Sequence, residues 1–186
     1  MTKPYGTITK TILISLAMGG AIILAATSPR VATLLFKYLL KKTNRKVMKQ
    51  KEFALAFSRL KISRLIIIKE KGDGTFVVEL TEKGKRKIQE IQFEELHIQK
   101  PKKWDGIWRI VIFDIPKTKN NARDALRQKL KHLQFYQLQE STWVHPYPCN
   151  QEIEFLVELF GVYPYVQLIE ASKIQNDLKL REYFNF

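Results

Sequence analysis

Asp114 is the residue whose type and position could most directly do chemistry. It ends the hydrophobic run WRIVIFD (residues 108–114) and is followed by Ile115, Pro116 and a charged helical segment. A carboxylate there could bind a hard, hydrated cation such as Mg²⁺, which is the chemistry of a metal-dependent nuclease. The alternative is structural, with the short Asp side chain capping the next turn and Pro116 stiffening the exit from the strand. A single acid is weak evidence for a metal site, so we favour the turn.

The other candidate groups point away from catalysis. His97, His132 and His145 are scattered without the spacing of metal ligands, so each is predicted to be a surface or partly packed residue. The single cysteine, Cys149, cannot form an intrachain disulfide and is predicted to pack as a small hydrophobe in a reducing, cytoplasmic setting. Core or dimer contacts are expected for three aromatic side chains: Trp143, Tyr147 and Tyr163. No cofactor is expected.

The positive charge of the chain is concentrated in its first half. The 186 residues carry a formal charge of +14, with 22 Lys and Arg against 8 Asp and Glu in residues 1–103, and 10 of each in residues 104–186. This asymmetry predicts that the first half binds a polyanion and that the neutral second half has another role. HIQKPKKWDG (residues 97–106) separates them as a linker. The predicted segments are a DNA-binding domain at 1–98, a linker at 99–106, a second domain at 107–172 and a helical tail at 173–186.

The N-terminal stretch TILISLAMGGAIILAATS, residues 11–28, contains 18 uncharged positions, which is the lower limit for crossing a bilayer. A membrane-tethered adaptor is therefore one alternative. A buried helix is favoured, because basic residues flank the stretch on both sides and two glycines lie at its centre.

The rest of the first half has the pattern of a winged helix. A helix is predicted from Val31, with Leu34, Leu35, Tyr38 and Leu39 on its apolar stripe. A second is predicted over about 49–62, with Phe53, Phe57 and Leu60 on one face. A hairpin of residues 65–69 and 75–80 follows, joined across Gly72-Asp73-Gly74, and then a basic helix from Thr81. Because a winged helix needs three helices, the apolar N-terminal stretch is predicted to form the first. In this fold the third helix enters the major groove and the wing lies along the DNA backbone.

Ten side chains are candidates for contact with double-stranded DNA, as phosphate contacts from Lys and base-edge contacts from Arg and Gln. They comprise the exposed residues of the third helix, the residues before it and the wing lysines: Lys49, Gln50, Lys51, Ser58, Arg59 and Lys61; Arg45 and Lys46; Lys69 and Lys71. Each alone could equally be a solvated surface residue, and the concentration of charge in this half favours DNA.

The second half alternates between strand and helix patterns. A buried strand, WRIVIF, is followed by an amphipathic segment at 118–135. An alternating stretch at 136–146 then suits one strand or a bent pair of strands. A helix that ends at Gly161 and a last strand at 165–171 complete the pattern. This order predicts a ferredoxin-like βαββαβ domain.

WRIVIFDIP and ARDALRQKLKHLQFYQLQESTWVHPYPC closely resemble the central domain of PaaX-type transcriptional regulators. The resemblance covers about residues 104–171, and the first half matches more loosely, through its order of elements and LTEKGKRK. It implies a winged helix joined to a dimeric domain similar to the small CRISPR-associated endonuclease. In those proteins an Asp at the position of Asp114 lies near the two-fold axis, and the paired acids are the proposed magnesium site. PaaX proteins continue into a C-terminal helical domain, whereas here the tail is KIQNDLKLREYFNF.

We therefore expect an α+β protein with an N-terminal winged helix-turn-helix and a ferredoxin-like domain. The predicted function is that of a repressor-like transcriptional regulator which binds duplex DNA as a homodimer and is not an enzyme, with an effector of unknown chemistry as a further partner. Two alternatives remain open. One is a Mg-dependent endonuclease, or a protein related to CRISPR adaptation, that uses Asp114. The other is the membrane-tethered adaptor.

Overall fold

The chain is an α+β protein that divides into two compact units, residues 1–92 and residues 93–186. A computed structural model describes residues 6–25, 31–43, 49–71 and 73–186. Elements of the first unit are α1 (Thr7–Gly19), β1 (Ala21–Ala25), α2 (Val31–Thr43), α3 (Gln50–Ile62), β2 (Ile66–Glu70), β3 (Thr75–Leu80) and most of α4 (Glu82–Glu95).

The apolar N-terminal stretch forms a helix and a strand, so the prediction of a single helix over residues 11–28 is wrong. α1 ends at Gly19, and Gly20 takes a φ of 68°, a left-handed conformation that glycine adopts without a steric cost. β1 then buries Ile22 and leaves Ile23 61% exposed, the period of two that a strand with one buried face produces. Residues 26–28 lie outside the described part. Among the described residues, no helix combines the length and apolar character needed to cross a membrane.

β1 completes a three-stranded antiparallel sheet with the predicted hairpin, in the order β1-β3-β2. β3 has the predicted bounds, and β2 is displaced by one residue. At the tip, the Asp73 carboxylate accepts hydrogen bonds from the Thr75 N–H and hydroxyl at 2.9 and 2.6 Å. These bonds lower the pKa of Asp73 and hold the turn.

The helices α1, α2 and α3 share the core of the first unit with Ile88 and Ile91 of α4. The predicted stripe of α3, formed by Phe53, Phe57 and Leu60, is buried in one cluster with residues of α1 and α2. On α2 the prediction was partly wrong, because Tyr38 is exposed and Phe36 is buried against Phe53, with ring centroids 5.3 Å apart. Residues of all three helices are thus removed from water together, and this burial is the main favourable term in folding the unit.

The second unit is a four-stranded antiparallel sheet with helices in the connections. Its elements after the end of α4 are β4 (Trp108–Phe113), α5 (Asn120–His132), β5 (Tyr136–Gln139), β6 (Thr142–His145), α6 (Asn150–Leu159), β7 (Val166–Ala171) and α7 (Leu178–Phe184). The strand order is β5-β6-β4-β7, so the first strand of the unit is central. The alternating stretch at 136–146 is a bent strand pair, with a register shift between Gln137 and Gln139.

Side chains pack against both faces of this sheet. Val111 and Phe113 of β4 contribute to the main core, which also contains Leu126 and Leu130 of α5. On the opposite face, Trp108 and Val144 pack with Leu180 of α7. Aromatic rings of the C-terminal tail extend this second cluster, with Trp104 and Phe186 stacked at 4.5 Å. Three residues that the sequence had assigned to the first domain pack against the main core of the second unit: Phe93, Leu96 and Ile98.

Candidate nucleic-acid interface

α3 presents one face to the core of the first unit and the opposite face to solvent. At about 100° per residue, the buried side chains fall within one arc of the helix. The outward arc opposite them is centred on Lys51 and Ser58, which lie within about 20° of each other. The candidate residues of this helix were chosen because they lie off the apolar stripe, and the structure places all of them at the surface: Lys49, Gln50, Lys51, Ser58, Arg59 and Lys61.

The exposed candidates do not form a single row. Arg59 and Lys61 lie about 160° apart around the helix axis, one on each flank of the outward arc. Gln50 Nε2 is 3.5 Å from the Thr33 hydroxyl oxygen of α2, which holds this amide near the start of α3. A groove of about 440 Å³ lies beside the Arg59 flank and is bounded by the first turn of α1 and by Leu55. Arg45 and Lys46 lie outside the described residues.

The two lysines of the β2–β3 hairpin that were predicted to contact DNA differ in their surroundings. Lys69 on β2 is paired with Glu79 of β3 across the hairpin, with Nζ 2.7 Å from Oε2. Lys71, where β2 ends, is exposed and makes the turn through its backbone, whose N–H donates to the Thr75 carbonyl oxygen at 2.8 Å. The charge of Lys69 is therefore partly compensated before any partner arrives, and Lys71 is the better placed cation on the hairpin.

Other exposed residues near α3 were not selected from the sequence. Arg64 has a φ of 54° and follows α3, and Lys83 of α4 donates from Nζ to the Ser63 carbonyl oxygen at 3.1 Å. Leu55 and Ile62 lie on the outward arc of α3 and are 59% and 78% exposed. The helical spacing alone could have found these two, since both fall off the stripe that is defined by Phe53, Phe57 and Leu60.

Asp114 in the second unit is an exposed carboxylate beyond the end of β4. Its backbone N–H donates to the Tyr165 carbonyl oxygen at 2.9 Å. The predicted cap is wrong: no described residue donates a hydrogen bond to the Asp114 side chain, and the short turn at Lys117–Lys119 has no side-chain cap. Within the described residues, no group of three or more His, Cys, Asp or Glu side chains is placed to hold a metal ion.

The remaining titratable candidates are divided between core and surface. His97 and His132 are exposed, as predicted, but His145 is buried, where loss of hydration lowers its pKa from 6.5 to about 4. Cys149 is fully buried and its pKa is raised to about 12 by desolvation, which confirms that it packs as a small hydrophobe. Trp143 and Tyr147 are buried as expected, whereas Tyr163 is exposed and outside the core.

Residues 101–181 match the family model of the PaaX protein central Cas2-like domain. This segment is a PaaX-type, Cas2-like domain. It contains all four strands of the second unit and Asp114, and it ends within α7. The chain matches no curated protein.

Among solved structures, this chain is similar to an uncharacterised protein, Rv0674, from Mycobacterium tuberculosis, with 17% sequence identity and a TM-score of 0.35. The alignment covers 95% of this chain and 64% of that one. The chain therefore spans less than two thirds of the length of that protein.

The net charge of the chain changes at the boundary between its two units. Residues 1–92 contain 19 Lys and Arg against 6 Asp and Glu, a net charge of +13, and residues 93–186 contain 13 against 12, a net charge of +1. The matched Cas2-like segment lies wholly within the nearly neutral unit, and the cationic unit precedes it in the chain.

Proposed function

We propose that this PaaX-type protein is a transcriptional regulator of the repressor type, whose first unit is a winged helix that binds duplex DNA. Support comes from the order of its elements, α1-β1-α2-α3-β2-β3, with β1 added to the hairpin in a sheet of order β1-β3-β2. In this arrangement α3 is the recognition helix and the β2–β3 hairpin is the wing. The positive net charge of this unit favours double-stranded DNA as its partner.

The observation that carries the proposal is the exposed face of α3. Lys51 lies on its outward arc and Arg59 and Lys61 lie on the two flanks, so this face exposes three basic side chains. A helix in the major groove approaches the phosphate backbones on both sides, so cations on both flanks suit that position. Glu52, in the first turn, is the acid of this helix and stabilises its N-terminal dipole.

The proposed role of the second unit is to hold two copies together as a ferredoxin-like dimerisation domain. The βαββαβ order and the strand order β5-β6-β4-β7 support the ferredoxin-like assignment. A nearly neutral surface avoids repulsion between two copies, and pairing two winged helices raises the affinity for a palindromic site through effective concentration. Mass measurement in solution should give twice the chain mass.

The test of DNA binding is a salt titration, followed by the fluorescence anisotropy of a labelled random-sequence duplex. Each phosphate contact contributes about 0.9 to the slope of log K against log salt. Replacing Lys51, Arg59 and Lys61 together by Ala should therefore reduce the slope by about 2 to 3 and weaken binding at low salt. A wild-type protein with no affinity for duplex DNA at low ionic strength would refute the proposal.

Two controls separate this effect from a general loss of charge or fold. Changing three exposed lysines of the second unit, Lys131, Lys173 and Lys179, to Ala removes the same charge and should leave the slope unchanged. Asp114→Ala should also leave DNA binding intact. Mg-dependent degradation of the duplex by the wild type, abolished in Asp114→Asn, would instead support the nuclease alternative.

A further inference from the structure

The outward face of α3 carries two exposed apolar side chains close to Lys51 and Ser58. Leu55 and Ile62 are 59% and 78% exposed, and Ser58 lies between them along the outward side of the helix. Exposed apolar residues scattered singly over a surface are ordinary. Here they share one arc of one helix, seven residues apart, opposite the side that is buried in the core.

Packing in the core explains neither side chain, and helix propensity does not explain Ile62. The core of the first unit takes its α3 contribution from the buried stripe on the other side of the helix. Ile is a poorer helix former than the Lys, Glu or Gln that commonly occupy exposed positions, because its branched side chain loses rotamer freedom. α4 and α5 show the usual alternative, since they turn Lys, Arg, Glu, Gln, Asn and Asp side chains towards solvent.

The flanking charges indicate what kind of partner would cover this face. With Lys51 on the arc and Arg59 and Lys61 on its flanks, an apolar partner would bring its surface against three cations, whereas DNA supplies phosphates for them. The apolar group that the major groove of DNA presents is the 5-methyl group of thymine, which aliphatic side chains contact.

We propose that Leu55 and Ile62 contact thymine methyl groups in the major groove, and that the operator half-site therefore contains A·T pairs opposite them. This inference rests on the proposed function, in which α3 is the recognition helix. Seven residues of α-helix advance about 10 Å, and base pairs are stacked about 3.4 Å apart, so the two contacted thymines lie roughly three base pairs apart. The assignment makes Leu55 and Ile62 specificity residues, while the neighbouring cations supply affinity.

The experiment starts with a duplex that the full-length protein selects from a random pool. Thymines of the selected duplex are then replaced one at a time by deoxyuridine, which pairs identically and lacks only the methyl group. Replacement at a contacted position should weaken binding about fourfold, the factor that corresponds to burying one CH₂ group. Two contacted thymines should give about 16-fold together if their effects are independent.

The double variant Leu55→Ser and Ile62→Ser provides the decisive comparison. It should bind the thymine and uracil duplexes equally well, and its salt slope should match that of the wild type because no charge has changed. Leu178→Ser in the second unit, where the side chain is also 78% exposed, is the matched control and should retain the discrimination.

The outcomes distinguish the inference from the function on which it rests. If the protein binds duplex DNA with a steep salt dependence but is indifferent to every replacement of thymine by uracil, the inference is overturned and the proposed function stands. Discrimination that persists in the double variant also overturns it. If the double substitution changes the mass in solution and leaves discrimination intact, this face is a protein interface. Failure to bind any duplex removes the proposed function and the inference together.

Discussion

Acidification should destabilise the second unit through His145. This side chain is 4% exposed and packs against Phe135, Tyr147 and Phe184, with ring centroids 4.8 to 5.7 Å away. Its Nδ1 lies 3.2 Å from the Tyr147 nitrogen and 3.3 Å from the Tyr147 carbonyl oxygen. Loss of hydration on burial favours neutral His145 and lowers its pKa from 6.5 to about 4, and the positive charge of Arg109 acts in the same direction. The hydrogen bond with the Tyr147 backbone acts in the opposite direction and is the smaller effect.

The size of the effect follows from the difference between these two pKa values. Because the folded pKa is lowered, the stability contributed by neutral His145 is fully present above pH 6.5 and is lost as the pH falls towards about 4. Each pH unit within that window removes up to about 1.4 kcal/mol. Between about pH 7 and about pH 4.5, protonation of the unfolded state should lower the free energy of unfolding by about 2 kcal/mol.

Tryptophan fluorescence during urea unfolding measures this change in the second unit alone, since Trp104, Trp108 and Trp143 all lie there. His145→Asn should be less stable at neutral pH, because it leaves a gap among the rings, but it should lose about 2 kcal/mol less than the wild type on acidification. His145→Gln is a second non-titrating variant, and the exposed His132→Asn should behave as the wild type. Equal losses in His145→Asn and the wild type would refute the assignment.

Two further predictions concern the junction between the hairpin and α4. Gly84→Ala should destabilise the first unit by about 1 to 3 kcal/mol, because the added Cβ would lie 2.0 Å from the Leu65 carbonyl oxygen. Gly19→Ala is the control, since a Cβ there would have no heavy atom within 4 Å. The hydrogen-exchange rates of β3 peptides measure the loss of stability, and equal rates in the two variants would show that the Cβ at position 84 does not clash. Thr81→Ala should cost about 1 kcal/mol, because its hydroxyl accepts from the Gly84 N–H at 3.0 Å and donates to the Arg64 carbonyl oxygen at 2.6 Å. Thr81→Ser keeps both bonds and should exchange as the wild type does.

The helices and strands of the second half were largely predictable because each has a strong local pattern. The amphipathic segment at 118–135 became α5, the alternating stretch at 136–146 became β5 and β6, and the helix predicted to end at Gly161 became α6. β1 was missed, since a continuous apolar run has no periodicity that separates a helix from a strand. What distinguishes them is the partner strand β3, whose backbone groups pair with β1 from Ala21 to Ala25.

For the candidate interface, the sequence predicted exposure better than arrangement. Lys51, Ser58 and Arg59 were expected to be exposed because they lie off a clear apolar stripe, and they are. The pairing of Lys69 with Glu79 depends on the register of two strands, which a count of charges does not contain. The burial of His145 likewise depends on the aromatic residues of the C-terminal tail, which are about 40 positions further along the chain.

The sequence by itself determined the distribution of charge, the apolar stripes and the PaaX-type character of the second half, because composition, periodicity and motifs are properties of neighbouring residues. Tertiary structure alone decided that the N-terminal stretch divides into α1 and β1, that Lys69 is already paired, and that His145 is removed from water. Each of these depends on segments distant in the chain coming together, where hydrogen-bond partners and desolvation are set by the fold.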